Sequence, residues 1–242
     1  MFLFLIPHHV DSQDFVNLWN EELSAHKRVG VLYQYQENKN KPKKGKEQNL
    51  TLFAEYRFGF YGFFVAFPYT VKWTPNSQTR GYVDHIRLQN KLHFDFKNFS
   101  LLGGLLIDFP RNHGMAGDVP KDIGYIEPYV GFDYRWSKVR LKLSLHWNTQ
   151  TNTEFKEKRN QEFERTWKFQ LSVGYSIQKY WIGLESQYQK LYDPKPFEKE
   201  LYFVGLGLSR FFENHRLSLV YVLPSKQYAY QSIWKLQWEF WL

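Results

Sequence analysis

One pattern constrains the fold of this chain more than any other: apolar and polar residues alternate with a period of two over most of its length. From Leu32 to Leu242, about twelve segments show this alternation, which is typical of β-strands with one apolar face. The polar gaps between these segments are long and short in turn. Such a chain is expected to run as consecutive antiparallel strands, with tight turns at one end and long loops at the other.

The third and seventh segments show the pattern most clearly. In Phe60–Trp73, large aromatic or β-branched residues alternate strictly with smaller or polar ones, which is a strong strand signal. In Lys138–Trp147, Val, Leu and Trp alternate with Lys, Arg, Ser and His. Pro68 lies inside the third segment and lacks an N–H for a ladder hydrogen bond, so we expect a β-bulge there.

The composition shows which solvent these strands face. Aromatic residues make up 20% of the 242 residues, yet the mean hydropathy is −0.56. The longest apolar run, Leu101–Ile107, is far shorter than the roughly 20 residues that a membrane helix needs. A bilayer admits only helices and closed barrels, because backbone groups cannot remain unpaired in it. We therefore predict an all-β fold, a transmembrane antiparallel β-barrel of about twelve strands.

A soluble β-sandwich or a lipocalin-like barrel is the main alternative. Strands of sandwiches are usually about five or six residues long, whereas these segments run to about 9–14 residues. The uniform face of the segments is the aromatic one, and the mixed face carries the charges. This arrangement favours a barrel whose outer face contacts lipid.

We predict two parts: an N-terminal segment over residues 1–27 and the barrel over residues 28–242. Within the first part, Phe15, Leu18, Trp19 and Leu23 have helical spacing and predict a short amphipathic helix. This helix would lie at the rim of the barrel or plug its lumen. The apolar start, Met1–Ile6, lacks the basic region and cleavage site of a signal peptide.

Location and partners follow from the barrel prediction. We expect a monomer in the bacterial outer membrane, in contact with the lipid bilayer, with both termini in the periplasm. The terminal residues Trp238–Leu242 resemble the signal read by the barrel-assembly machinery, although they close on Leu. The lysine-rich gap Lys39–Lys46 would contact lipopolysaccharide. The net charge of +8 comes without a recognition element, so we expect no nucleic-acid partner.

The polar face of the strands would line the lumen. Its charges favour passage of a small solute, with a basic excess that would prefer anions. The alternative is a lumen closed by salt bridges, since lone charges are costly to bury. The predicted lumen-lining residues are Glu55, Arg57, Arg87, Lys91, His93, Glu127, Asp133, Arg135, Arg140, Lys142, His146, Glu164, Lys168, Glu185, Arg216 and Glu239.

Few motifs suggest chemistry. The chain has no cysteine, and His85, His93 and His146 lack a matching carboxylate pattern, so we expect neither a metal nor a cofactor. Ser144 and His146 share a face two residues apart, which would suit a lumenal lipid hydrolase with Glu127 or Glu164 as the orienting acid. The outer-membrane phospholipase pattern has the His before the Ser, on the lipid-facing side. We therefore expect a protein without catalytic activity.

Three stretches of the chain resemble a known outer-membrane family. They are Glu55–Gly59 running into Ala66–Tyr69, Leu101–Ile107 closing on Asp108–Asn112, and Pro128–Tyr134. The region from Leu50 to Leu242 thereby resembles the meta-pathway phenol-degradation proteins, relatives of hydrocarbon and fatty-acid channels. The resemblance implies a channel for small solutes, including hydrophobic ones, and transfers no functional residue. The alternative function is a closed structural or adhesion barrel that binds ligands through its long outer loops.

Overall fold

The computed structural model describes residues 27–38, 46–73, 80–83, 86–109, 125–150, 165–192, 199–225 and 230–242. These residues form one antiparallel sheet that closes on itself as a barrel of twelve strands, one of them in two segments. The strands are β1 (Lys27–Asn38), β2 (Lys46–Phe58), β3 (Tyr61–Trp73), β4 (Arg80–Val83 and Ile86–Asp95), β5 (Phe99–Phe109), β6 (Tyr125–Trp136), β7 (Val139–Gln150), β8 (Arg165–Ile177), β9 (Tyr180–Tyr192), β10 (Lys199–Phe211), β11 (His215–Pro224) and β12 (Tyr230–Trp241).

Each strand pairs with its neighbours in sequence, and the pairing of β1 with β12 closes the wall. Val31 lies opposite Leu52 of β2 on one side and opposite Trp238 of β12 on the other. At the end of this seam, the Leu242 N–H donates to the Lys27 carbonyl over 3.0 Å. The predicted twelve-stranded antiparallel barrel is thus confirmed.

The tight turns lie together at one end of the barrel, as the rhythm of short gaps predicts. Gly59, Ser137 and Gln178 each begin such a turn, with φ of 59°, 54° and 53°. Positive φ is what the hairpin turns that match the strand twist require. Ser and Gln adopt this conformation at a small steric cost, because the paired strands on both sides hold the turn in place.

The two faces of the wall differ as the alternation predicts. Outward side chains at mid-strand are large, apolar and exposed; Leu206 of β10 is 59% exposed. Inward side chains are mostly polar and buried. The inner wall also has an apolar part, formed by Leu201, Phe203, Val222 and Ile233 on three neighbouring strands.

Two details refine the sequence-based picture. The ladder from β2 to β3 runs through Pro68 without interruption. The irregularity lies on the other side of β3, where its register with the two segments of β4 differs by one residue. The break in pairing thus falls opposite Pro68, in the partner strand.

The predicted N-terminal segment falls outside the described residues, apart from Lys27 at the start of β1. The helix over residues 12–27 and its plug or rim position therefore remain predictions. Among the described residues, the structure contains no helix of the length and apolarity needed to span a membrane.

The bilayer-facing wall leads to a test. We expect Leu206→Arg, at the centre of β10, to lower the free energy of unfolding in lipid vesicles by about 2–4 kcal/mol. Ile177→Arg, beside a tight turn, is the control and should cost only about 0–1 kcal/mol. Urea titration followed by tryptophan fluorescence measures both. Equal, small losses would contradict a lipid-facing position for Leu206.

Candidate functional site

The candidate site is the inner surface of the barrel, where most of the predicted lumen residues lie. Glu55 is nearly buried. Arg57 and Arg135 lie at the tight-turn end and are partly exposed. Glu164 lies outside the described residues. The following predicted residues are buried inside the wall: Arg87, Lys91, His93, Glu127, Asp133, Arg140, Lys142, His146, Lys168, Glu185, Arg216 and Glu239.

Arg28 is the centre of one ion-pair network near the tight-turn end. Its guanidinium donates to Glu55 of β2 and, over 3.4 Å, to Glu239 of β12. Glu239 also pairs with Arg216 of β11 at 2.6 Å, and Lys91 of β4 reaches Glu55 at 3.3 Å. The network therefore links β11, β12, β1, β2 and β4 along the wall, and each charge has an opposite charge beside it.

Lys91 crosses β3 to reach Glu55, beginning beside Gly62. A Cβ built on Gly62 would lie 3.5 Å from the Lys91 Cβ, and the Lys91 Nζ lies 5.2 Å from the centre of the Phe64 ring. A small residue in β3 therefore leaves room for a bridge between β2 and β4.

Glu127 is the centre of a second network, on β6, β7 and β8. Its Oε1 lies 2.8 Å from His146 Nδ1, and its Oε2 accepts from Lys168 Nζ at 2.6 Å and from Asn148 at 3.0 Å. His146 Nε2 lies 3.0 Å from the Ser144 hydroxyl oxygen. The structure thus brings together Ser144 and His146, which share β7, and Glu127 of β6.

The Tyr129 ring holds the imidazole of His146 from one side. The two rings stack with centroids 5.1 Å apart. The Tyr129 ring itself lies against Gly104 of β5, where an added Cβ would come within 2.8 Å of the ring. An aromatic side chain that covers a strand glycine in this way restores packing that the glycine lacks.

Two simpler pairs lie elsewhere on the wall. Arg140 of β7 pairs with Asp133 of β6, with its Nε at 2.7 Å, and Arg87 of β4 pairs with Asp108 of β5 at 3.0 Å. The ion pairs named above that connect different strands join strands one or two positions apart in the sheet. These pairs therefore run along the wall.

Sequence reasoning missed Arg28 and the inward glutamines. Arg28 lies next to the first residue of β1, where the alternation of inward and outward positions gives little information, yet it shares the face of Leu32 and Gln34. The alternation of inward and outward positions along each strand is enough to predict the inward glutamines. These are buried at Gln34, Gln36, Gln89, Gln170, Gln187, Gln189 and Gln237.

No group of three or more His, Asp or Glu side chains in the described part of the chain is arranged to hold a metal ion. His93 is buried on β4, His146 lies on β7, and His85 is outside the described residues.

Comparison with solved structures identifies the fold. An outer membrane channel from Pseudomonas putida F1 is similar with a TM-score of 0.72 at 10% identity, over 90% of this chain and 96% of that chain. The KdgM porin has a TM-score of 0.53 at 12% identity, over 87% and 98%. The β domain of the Bordetella autotransporter BrkA has a TM-score of 0.58 at 7% identity, over 89% and 99%.

These similarities establish an outer-membrane type of β-barrel. No family model matches the chain, and no curated protein matches its sequence. The sequence resemblance to the meta-pathway phenol-degradation proteins therefore remains a prediction.

The Arg28 network makes a second prediction. Glu239→Gln leaves Arg216 buried without a full countercharge, so we expect the free energy of unfolding in detergent micelles to fall by about 3 kcal/mol or more. Asp95→Asn is the control: it breaks an ion pair whose acid is 49% exposed, and we expect a loss below about 1 kcal/mol. Urea unfolding measures both variants. Similar losses would contradict a stabilising role for the buried network.

Proposed function

We propose that this protein is a channel of the bacterial outer membrane, through which small solutes pass. The observation that carries the proposal is the closed barrel of twelve strands with a polar and charged inner wall. The ion pairs named above join strands that are one or two positions apart, so these pairs lie along the wall. A barrel of twelve strands is wider than the eight-stranded barrels that side chains alone fill.

The inner wall suits polar solutes of either sign. Among the described residues, eight Lys or Arg and six Asp or Glu side chains are buried, and Glu55 is nearly buried as a seventh acid. The basic excess is therefore smaller than the composition of the chain suggests. We propose that the preference for anions is weak. The inner apolar part at Leu201, Phe203, Val222 and Ile233 would let less polar solutes contact the wall.

The similar structures support the same proposal, since one is an outer membrane channel and another is a porin. We propose that the chain acts as a monomer, contacts lipopolysaccharide with its lysine-rich gap, and enters the membrane through recognition of its terminal strand by the barrel-assembly machinery. The aromatic outward residues of that strand, among them Trp234 and Trp238, fit such a signal.

Ion conductance tests the channel directly. We expect refolded protein to give steady single-channel currents in a planar bilayer, both for the whole chain and for a chain that begins at Lys27. Current only after truncation would mean that the N-terminal segment closes the lumen. Heat-modifiable gel mobility serves as the control for folding. Absence of current in both forms, with folding shown, would contradict the proposal and favour a closed structural barrel.

Ion selectivity tests the role of the wall charges. Lys142 is buried on the inward face of β7, so we expect Lys142→Gln to move the reversal potential in a salt gradient towards cation preference. Lys179→Gln, in the exposed turn between β8 and β9, is the matched control and should leave the reversal potential unchanged. Equal shifts in both variants would contradict an effect of the Lys142 charge on the ion selectivity of the lumen.

A further inference from the structure

The network around Glu127 has the geometry of a nucleophile, a base and an orienting acid. The Ser144 hydroxyl lies 3.0 Å from His146 Nε2, and the other ring nitrogen lies 2.8 Å from Glu127. Both distances are within the range in which a general base takes a proton from a serine and a carboxylate fixes the tautomer of the imidazole. Ser144, His146 and Glu127 are all buried inside the barrel.

The orientation of the Gln170 amide determines in which direction the Ser144 hydroxyl donates its proton. The Ser144 hydroxyl lies 3.1 Å from Gln170 Oε1, while Gln170 Nε2 is buried without a partner. Turning the amide over places its N–H₂ beside the serine oxygen and gives the orphaned donor an acceptor. The Ser144 proton is then free to point at His146 Nε2, and an amide N–H lies beside the nucleophile.

On its other side, Ser144 packs against a glycine of the neighbouring strand. Gly131 of β6 lies directly opposite Ser144, and Leu102 of β5 lies opposite Gly131. A Cβ at Gly131 would lie 2.9 Å from the Leu143 carbonyl oxygen and 3.2 Å from the Ser144 Cβ, so β6 packs closely on β7 here and a glycine is needed. This close packing fixes the position of Ser144 in the wall.

We propose that Ser144, His146 and Glu127 form an esterase site that hydrolyses carboxylic esters inside the barrel. Ser144 Oγ attacks the ester carbonyl carbon while its proton moves to His146 Nε2. The bond to the alcohol breaks, and His146 returns the proton to the leaving alkoxide. Water then attacks the acyl-serine, again with His146 as base, and releases the acid. Glu127 positions the imidazole, and the Gln170 amide is the donor closest to the developing oxyanion.

Lys168 and Asn148 fit the same site. Both donate to the Oε2 of Glu127, at 2.6 and 3.0 Å, and leave Oε1 to His146. The carboxylate is thereby fixed in one orientation. The Tyr129 ring restricts the imidazole further by stacking on it. A site held in this way is preorganised, because its groups need little movement to reach the reactive geometry.

Serine-directed labelling tests the nucleophile directly. We expect an alkyl fluorophosphonate to modify the folded protein, and mass spectrometry of its peptides to locate the adduct on Ser144. Ser144→Ala should abolish the label. Ser172→Ala is the matched control, since Ser172 is another buried inward serine on the neighbouring strand β8, and it should keep the label. Heat-modifiable mobility establishes folding in each case.

Turnover of p-nitrophenyl laurate and p-nitrophenyl acetate gives a second readout. We expect Ser144→Ala and His146→Gln to lower kcat/KM by at least about 100-fold. Glu127→Gln should lower kcat while KM stays nearly constant, because Glu127 acts through His146. A folded wild type that is neither labelled at Ser144 nor more active than Ser144→Ala would overturn the proposal and make the network a structural brace.

Discussion

The pairing of every backbone N–H and C=O is the constraint on which the rest of this structure depends. In the hydrocarbon layer an unpaired group has no water to bond, so an open sheet edge is excluded there. The ladder between β1 and β12 removes the last edge. Closure then fixes which side chains face inward, and thereby collects charged, hydroxyl and amide groups from distant parts of the chain on one surface.

The strand order follows from the sequence, since the alternation and the gap rhythm reflect local preferences. The described strand bounds agree with the alternating segments to within a few residues in most cases. The break in β4 was not predictable in the same way. Pro68 marks the place, but the sequence does not tell which of its two partner strands absorbs the irregularity, because that depends on register across the sheet.

The sequence predicts which residues line the candidate site better than it predicts which of them contact one another. The alternation of inward and outward positions placed Glu127, His146 and Lys168 on the inward face. The pairing of Glu127 with the other two depends on the register of three strands and on the length of the Lys168 side chain, which crosses β7. Arg28 and Glu239 are 211 residues apart, so no local pattern relates them. The close packing of Tyr129 on Gly104 is a tertiary contact that composition does not encode.

The seam between β1 and β12 has a consequence for how the molecule is made. Its two strands lie at opposite ends of the barrel sequence, so this contact of longest sequence separation requires the whole of the barrel sequence. Until the two strands pair, the sheet has two unsatisfied edges, each a template for pairing with another chain. Protection of the unfinished chain from aggregation must therefore come from outside it, for as long as the seam is open.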